Sequence, residues 1–450
     1  MTEMPIKHSP EYRHRRFMNW FPLGLTYATF YMGRYNLNVA GPKMMDMFHL
    51  TKAEYGTIAT AGFWTYALSV IFNGPLADRI GGKKAIIFGA VGAAALNLVI
   101  GLLFLSGWQT KLIVGMSLLY AVNCYFQSFG ALSVVKVNAP WFHVRERGIF
   151  GGVFGIMISS GYFLAMTVGG WIISSMPWYC VFLIPSVCIL VMACVDHFFV
   201  CNKPSEAGFE NFNTGDATAH DHDKDQPVDF NHLVSRVFSN PVIQILVVSE
   251  FCTGFVRQGL MLWFMPFLKE VHKVLPGSTL SSVATAGVTV GGIAGGLLCG
   301  WMSDKVFNSR RPPVAFIFYI CQIFAVLMLG YTHSPVLASY LVGFCCMWIF
   351  GVHGMLTGTA SMDFGGAKAA ATVSGILDGV QYLASGLTGF FLGKMIDKFG
   401  WGIWVWMIVP FSMIGALLML RLWHETPLRK TAVAVPEEES SPVPDPLLVD

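Results

Sequence analysis

Residues 30–40 read F-Y-M-G-R-Y-N-L-N-V-A and place Arg34 inside an apolar segment that runs from about residue 17 to residue 40. A segment of this length can cross a bilayer as a helix. Arg34 lies too far from either end to reach the interface easily, and an arginine that faces lipid costs at least about 2.5–3.5 kcal/mol. We therefore expect Arg34 to face a wet cavity or a partner.

The same helical face carries further polar groups. Tyr27, Tyr31 and Asn38 stand at helical spacing from Arg34, so their side chains form a stripe that can hydrogen-bond a polar ligand. A second arginine, Arg257, lies inside an apolar segment in the other half of the chain. We interpret the two arginines as an anion site at the centre of a transporter.

The composition is that of a membrane protein. Of 450 residues, 54% are hydrophobic and only 12% are charged, whereas about 25% are charged in soluble domains. Long apolar runs exclude a transmembrane barrel, which shows short alternating segments. No long basic run indicates nucleic-acid binding, and no phosphate loop, nucleophile–base pair or metal-ligand cluster is recognisable. We expect no enzyme activity, no cofactor and no metal.

Apolar segments of spanning length divide the chain into two sets of six. We predict an all-α polytopic protein with an N-terminal six-helix bundle over residues 1–200 and a second bundle over 242–423. A polar linker over 201–241 separates them, and a disordered tail follows over 424–450. Basic residues before the first segment and after the second, fourth, eighth and twelfth place both termini in the cytoplasm.

A motif is repeated in the two halves. Residues 74–84 read G-P-L-A-D-R-I-G-G-K-K and residues 300–311 read G-W-M-S-D-K-V-F-N-S-R-R. In each copy a glycine precedes an aspartate by four residues and a basic residue follows it. Such loops can join neighbouring helices through charge pairs that break when a bundle rocks. We assign a conformational role to Gly74, Asp78, Arg79, Asp304 and Lys305.

The repeat also relates the two arginines. Arg34 and Arg257 precede Asp78 and Asp304 by similar numbers of residues, so they occupy equivalent places in the first and seventh helices. Parallel halves related by an axis along the membrane normal place such residues on opposite walls of one cavity.

These motifs resemble those of the major facilitator superfamily over nearly the whole chain. Within it, residues 297–307, L-L-C-G-W-M-S-D-K-V-F, are similar to the organophosphate:phosphate antiporter family, which includes glycerol-3-phosphate and hexose-phosphate transporters. W-F-H-V-R-E-R-G at 141–148, F-L-K-E-V at 267–271 and I-D-K-F-G-W at 396–401 add to the resemblance. It implies a monomeric major facilitator fold of two pseudo-symmetric bundles in the cell inner membrane.

The resemblance also implies a function. The family's paired substrate arginines fall on Arg34 and Arg257, and the substrates would be an organic phosphate ester and inorganic phosphate, exchanged by alternating access. The chain departs from the family where lysine usually follows the first arginine, because Tyr35 stands there. Val70 and Ile158 replace a lysine and a histidine of the glycerol-phosphate branch.

Two other functions therefore stay open. R-Y-N-L-N-V-A-G-P-K-M at 34–44 resembles the proton-coupled anion:cation symporters of sugar acids. Some members of the antiporter family are sensors of sugar phosphates that do not transport. Uptake into reconstituted vesicles separates a carrier from a sensor.

Other polar residues inside apolar segments complete the predicted site. We expect substrate contacts from the side chains of Tyr31, Tyr35, Asn38, Lys136 and Tyr382. The alternative for Lys136 is an interfacial lysine whose ammonium group extends to the membrane surface. Candidates for a coupling proton are Asp378, His353 and Glu250. The alternatives are that Asp378 pairs with an arginine, that His353 is hydrogen-bonded to neighbouring helices, and that Glu250 is a helix-end charge.

Overall fold

A computed structural model describes residues 8–143, 157–212, 241–308 and 310–424, without the side chains of Pro75, Asp78 and residues 358–374. Within these ranges the chain forms twelve long helices. They are α1 (Pro10–Phe48), α2 (Lys52–Ile80), α3 (Gly82–Leu105), α4 (Leu112–Trp141), α5 (Met157–Ser175), α6 (Cys180–Phe199), α7 (Pro241–His272), α8 (Thr279–Val306), α9 (Arg311–Tyr331), α10 (Pro335–Thr357), α11 (Ser361–Phe399) and α12 (Gly402–Arg421).

Nine of these helices in the described ranges are long and apolar enough to cross a membrane by length and composition. The other three, α1, α2 and α11, are 39, 29 and 39 residues long but more polar. They are also helices that supply buried polar side chains to the centre of the molecule. The predicted all-α class is confirmed, and no strand occurs among the described residues.

Local sequence signals set where several helices begin and end. Ser9 accepts a hydrogen bond from the Tyr12 backbone N–H at 3.1 Å and caps α1. Thr51 and Glu54 form a reciprocal capping box at the start of α2. Gly81 has a φ of 88° and makes the one-residue turn between α2 and α3, a conformation that favours glycine.

Contacts between helices repeat with an offset of six. In the first bundle α2 packs on α4, α3 on α6, and α1 on α5 and α6. In the second bundle α8 packs on α10, α9 on α12, and α7 on α11 and α12. Between the bundles α2 contacts α11, and its counterpart α8 contacts α5. The repeated pattern is that of two pseudo-symmetric halves around a shared centre.

Glycines bring the backbones of two helix pairs together. A Cβ at Gly291 of α8 would overlap the carbonyl oxygen of Gly343 in α10. A Cβ at Gly56 of α2 would likewise overlap the carbonyl oxygen of Gly389 in α11. Small residues permit this approach, and the second pair lies between the two halves.

The two ends of the bundle differ in charge. We name the end with the turns after α2 and α8 the basic end, because Lys83, Lys84, Arg310 and Arg311 lie in these turns or in the first turn of the helix that follows. The other end is called the opposite end. At the basic end the first part of the predicted linker is ordered against the first bundle, where residues 201–212 pack on an aromatic cluster around Trp141. The predicted linker otherwise falls at 213–240 and the predicted tail at 425–450, both outside the described residues.

Candidate functional site

Arg34 lies in an aromatic cage at the centre of the molecule, with an exposed fraction of 0%. Its Cζ lies 4.9 Å from the ring centroid of Tyr31 and 4.7 Å from that of Tyr66. Tyr35 is slightly farther, at 5.7 Å. Nη1 of Arg34 donates a hydrogen bond to the hydroxyl of Tyr382 at 2.9 Å. Aromatic faces attract the cation without neutralising it.

Arg257 lies in the same cluster and is 2% exposed. Its Nη2 donates to Oε1 of Gln381 at 3.0 Å, and its Nη1 donates to the hydroxyl of Tyr162 at 3.4 Å. Its Cζ is 5.5 Å from the ring centroid of Tyr382. Because Tyr382 contacts both guanidinium groups, the two predicted arginines share one site.

Each arginine donates a hydrogen bond to a tyrosine of the opposite half. Arg34 of α1 donates to Tyr382 of α11, whereas Arg257 of α7 donates to Tyr162 of α5. The Tyr162 hydroxyl in turn donates to that of Tyr35 at 3.3 Å. The site therefore joins the two halves through neutral hydroxyl groups, which a charged ligand can replace.

Part of each guanidinium has no acceptor among the residues whose side chains the structure describes. Nε and Nη2 of Arg34 and Nε of Arg257 are buried and donate to none of the residues that the structure describes. Nε and Nη2 form one edge of the planar guanidinium, the edge that binds a carboxylate or phosphate through two parallel hydrogen bonds. Arg34 thus presents a complete bidentate edge in a buried, cationic environment.

The backbone beneath Arg34 is fixed by polar side chains of α3 and α4. The Tyr120 hydroxyl donates to the Arg34 carbonyl oxygen at 2.9 Å. Asn97 and Asn123 both donate to the carbonyl oxygen of Gly33, at 3.2 and 3.0 Å. These buried bonds hold α1 in one position, which orients the arginine.

Acidic groups lie on the basic-end side of the arginines. Asp378, one turn before Gln381 on α11, interacts electrostatically with both guanidinium groups. Glu250 of α7 is 0% exposed, and its Oε2 lies 3.8 Å from Nδ1 of His353. Nε2 of Gln381 lies 2.9 Å from the same Nδ1. All three predicted candidates for coupling are thus close to Arg257.

Two predicted substrate contacts lie elsewhere. Nδ2 of Asn38 donates to the Met261 carbonyl oxygen at 2.9 Å and thereby bridges α1 and α7. Lys136 is half-buried in the basic-end part of α4, about 24 Å along the helix from Tyr120 at 1.5 Å per residue. The structure therefore groups Tyr31, Tyr35 and Tyr382 with the arginines. Asn38 bonds Met261 and Lys136 lies nearer the basic end, and a substrate contact by either stays a prediction.

The second copy of the repeated motif forms a charge pair at the basic end. Nη1 of Arg311 donates to Oδ1 of Asp304 at 3.0 Å and to the Ser303 hydroxyl at 2.7 Å. Arg79 and Lys305 are exposed, and a Cβ at Gly74 would meet no atom of the described residues within 4 Å. The Asp78 side chain lies outside the described residues. The conformational role of these residues stays a prediction.

The opposite end is closed by ion pairs between the halves. Lys269 of α7 pairs with Asp46 of α1 and donates to the Pro42 carbonyl oxygen at 3.0 Å. Lys52 of α2 pairs with Glu270 of α7 at 2.9 Å. These contacts separate the arginines from the solvent at that end.

Asp397 adds a contact of another kind. Its two carboxylate oxygens, contributed by α11, accept hydrogen bonds from the backbone N–H groups of Lys52 and Ala53 at 3.1 and 2.8 Å. Those N–H groups are at the first turn of α2, where a helix carries partial positive charge. A side chain of one half therefore caps a helix of the other.

Tyr66 and Tyr162 belong to the site although their sequence context did not predict it. Tyr66 stands on α2 within F-W-T-Y-A-L, and Tyr162 stands on α5 beside glycine. Both are tyrosines in apolar helices, which is a weak signal because such residues also occur at packing positions and interfaces. Which helical face lines the cavity depends on how the two halves pack.

The described helices form two related halves around paired buried arginines, the arrangement of a polytopic membrane transporter. The chain matches the Major Facilitator Superfamily over residues 23–389 and belongs to that family. It is similar to a bacterial homologue of the human lysosomal transporter Spinster in an inward-facing, unoccupied conformation, with a TM-score of 0.71, 16% identity and coverage of 92% of this chain and 99% of that one. The nucleoside transporter NupG has a TM-score of 0.69 at 12% identity, with coverage of 91% and 100%. The predicted major facilitator fold is confirmed.

Relatives of known name match along nearly their full length. The glycerol-3-phosphate transporter of Bacillus subtilis is 25% identical over 430 residues, 93% of this chain and 94% of that protein. A probable hexose phosphate transport protein of Chlamydia pneumoniae is 22% identical over 435 residues, with coverage of 92% and 93%. The membrane sensor protein UhpC of Escherichia coli is 26% identical over 421 residues, with coverage of 91% and 92%. These relatives confirm the resemblance inferred from the motifs, and the family is one of transporters and not of enzymes.

Proposed function

We propose that the protein exchanges an organic phosphate ester for inorganic phosphate across the membrane by alternating access. The observation that carries this proposal is the buried bidentate edge of Arg34, together with Nε of Arg257 in the same cluster. A phosphate group offers several acceptor oxygens and can engage both arginines at once. The aromatic faces around the arginines leave their positive charge available to the anion.

The two arginines also provide a mechanism. Two buried cations repel each other when no anion is present. An anion between them removes that repulsion and replaces the hydroxyl contacts with Tyr382 and Tyr162 by stronger, charge-assisted bonds. The halves then move together around the ligand, and its binding energy lowers the barrier between the two access states.

The repulsion between the two arginines favours exchange over net transport. Without an anion the arginines remain unbalanced, so the empty carrier crosses slowly. With either phosphate species bound, the carrier crosses quickly in both directions. This gives coupling of one anion moving inward to another moving outward.

The names of the relatives support a phosphate ester as substrate. Two are named as glycerol-3-phosphate and hexose phosphate transporters, and one is named as a membrane sensor. The site itself does not distinguish phosphate from carboxylate by charge. A proton-coupled sugar acid symporter and a non-transporting sensor are therefore the alternatives that the experiment must separate.

Basic residues supply the orientation in the membrane. We assign the basic end to the cytoplasm by the positive-inside rule, which places both termini there. The protein then functions as a monomer in the cell inner membrane, with bundles over 1–200 and 242–423. Residues 201–241 join the bundles on the cytoplasmic side, and 424–450 form a tail.

Counterflow in reconstituted vesicles tests the proposal. Vesicles loaded with inorganic phosphate should take up external glycerol 3-phosphate faster than unloaded vesicles. Arg257→Gln should abolish the stimulation, and Arg421→Lys, at the exposed end of α12, should retain it. Uptake of a hexuronate driven by a proton gradient, without phosphate stimulation, contradicts the proposal. Binding of the ester without any uptake identifies a sensor instead.

A further inference from the structure

A continuous polar chain connects the substrate arginine of the second half to a buried carboxylate. Nη2 of Arg257 donates to Oε1 of Gln381 at 3.0 Å. Nε2 of Gln381 lies 2.9 Å from Nδ1 of His353. That Nδ1 is 3.8 Å from Oε2 of Glu250. The chain passes from α7 through α11 and α10 and returns to α7.

Chemistry fixes the direction of each bond in this chain. A guanidinium has only donors, so the atom of Gln381 that faces Arg257 must be its carbonyl oxygen. The amide NH₂ group then faces His353 and donates to Nδ1. Nδ1 must therefore carry a lone pair, and the histidine in this arrangement is neutral with its proton on Nε2.

A proton on Nδ1 is incompatible with that arrangement. The new N–H of His353 would oppose the NH₂ group of Gln381, donor against donor. Rotation of the amide by half a turn offers its oxygen to the histidine but turns the NH₂ group toward Arg257. The unrotated amide keeps its bond to Arg257 but opposes two donors, whereas the rotated amide removes that opposition and breaks the bond between Gln381 and Nη2 of Arg257.

Glu250 supplies a partner for the proton. It is 0% exposed, and neither of its oxygens accepts a hydrogen bond within the part of the chain that the structure describes. A charged imidazole at 3.8 Å can close on this carboxylate and form an ion pair. The side chain of His353 is 20% exposed, so a proton can enter from that side.

Among the residues whose side chains the structure describes, the other charged and titratable groups around Glu250 and His353 come from three helices. Arg257 and Cys252 share α7 with Glu250, Tyr319 approaches from α9, and Asp378 approaches from α11. Of these, only Arg257 is a permanent cation and it points along the chain to the anion site. Of the groups named here, the neutral imidazole of His353 is the one that becomes a cation when it binds a proton.

We infer that His353 binds a proton together with the anion. Protonation of Nδ1 beside the Glu250 carboxylate turns the Gln381 amide, which releases Nη2 of Arg257 and makes it a further donor for the substrate. By linkage, the anion then favours the proton as much as the proton favours the anion. This inference rests on the anion site of the proposed function and makes each transported anion carry a proton with it. Anion affinity rises as the pH falls.

Isothermal titration calorimetry of the purified full chain tests the linkage. The probes are inorganic phosphate and glycerol 3-phosphate, each measured at about pH 6 and about pH 8, the range that brackets histidine titration. Pairs of buffers with different ionisation enthalpies give the number of protons taken up. The titration of the phosphate itself is the same for every variant, so differences between variants report the protein.

Three variants make the result specific. His353→Gln removes the proton site, and Gln381→Met keeps the histidine but removes its link to Arg257. His272→Gln, at the opposite end of α7, is the matched control. We expect the wild type and the control to take up more protons on binding than either test variant. The part of the anion affinity that depends on proton binding should change by up to about tenfold per pH unit.

The outcomes separate the two proposals. Phosphate binding with equal proton uptake in the wild type, His353→Gln and Gln381→Met overturns the linkage and leaves the anion site intact. If Gln381→Met keeps the proton uptake of the wild type while His353→Gln loses it, the route through the amide is overturned. Absence of binding of either probe to the wild type overturns the proposed function on which the inference rests.

Discussion

Replacement of Asp397 by asparagine should open the end of the transporter opposite to the basic end. The Asp397 carboxylate accepts hydrogen bonds from the first N–H groups of α2, on Lys52 and Ala53, at 3.1 and 2.8 Å. It also lies 3.9 Å from Nζ of Lys52. All of these contacts cross from one half to the other, so they must break before this end can open.

The size of the effect follows from what asparagine retains. Its single side-chain oxygen can keep one of the two hydrogen bonds, but the charge at the helix N-terminus is lost. A hydrogen bond to a charged group contributes about 1.5–3 kcal/mol and a charge at a helix end about 0.3–1 kcal/mol. The side chains of Asp397 and Lys52 are 30% and 18% exposed, which reduces both contributions. We therefore expect a net loss of about 1.5 kcal/mol, which is roughly a tenfold shift toward the open state.

Alkylation of a buried reporter cysteine measures this shift. Thr60 of α2 is 8% exposed, and its hydroxyl donates to the Gly386 carbonyl oxygen of α11 at 2.6 Å. A cysteine at this position reacts with a maleimide only when the halves separate, and peptide mass spectrometry distinguishes it from the native cysteines. In the Thr60→Cys background, Asp397→Asn should raise the reaction rate about tenfold.

The matched control changes charge at the adjacent position. Lys398 is exposed and lies over the ring of Phe399, so Lys398→Gln removes a charge without touching the contact between halves. It should leave the alkylation rate unchanged. Equal rates in Asp397→Asn and the control, in a folded protein, would refute the reasoning.

Three further substitutions test the site and the motif. Arg34→Lys keeps the charge but loses the planar edge, so affinity for glycerol 3-phosphate should fall about tenfold or more by calorimetry; unchanged affinity would exclude bidentate binding. Asp378→Asn removes a negative charge that interacts with both arginines, so phosphate should bind several-fold more tightly with unaltered proton uptake, and loss of that uptake would transfer the coupling role to Asp378. Asp78→Asn should slow counterflow while equilibrium binding stays near that of the wild type, and complete loss of binding would show a role in the site.

The sequence predicts the fold well because the membrane restricts it. Spanning segments must be long and apolar, so their number and order follow from hydropathy. The repeat around Asp78 and Asp304 then relates the halves, and the contacts between helices repeat with the same offset. Hydropathy identifies α1, α2 and α11 least well, because their polar faces meet at the centre of the molecule and do not contact lipid.

The sequence predicts those site residues whose charge costs free energy inside a membrane. Arg34 and Arg257 can be recognised because an arginine within an apolar helix must avoid lipid. Tyr66 and Tyr162 carry no such cost, so their places beside the arginines depend on packing between the halves. Glu250 and His353 are each visible in the sequence as unusual residues. Their approach through Gln381 depends on how three helices meet, which no local pattern specifies.

The contact between α2 and α11 relates the substrate site to both ends of the molecule. The two helices run antiparallel, so the C-terminal part of each faces the N-terminal part of the other. Asp397 near the end of α11 caps the start of α2 at the closed, opposite end. By the same geometry the end of α2 that carries Asp78 lies at the basic end, beside the N-terminal part of α11. If the halves rock as rigid bodies, the two helices must separate at one end as they approach at the other. The proposed anion site lies between the two ends, where Tyr66 of α2 and Tyr382 of α11 pack at a ring separation of 4.2 Å. An anion that displaced Tyr382 from Arg34 would therefore act on the helix pair that separates in each alternative state.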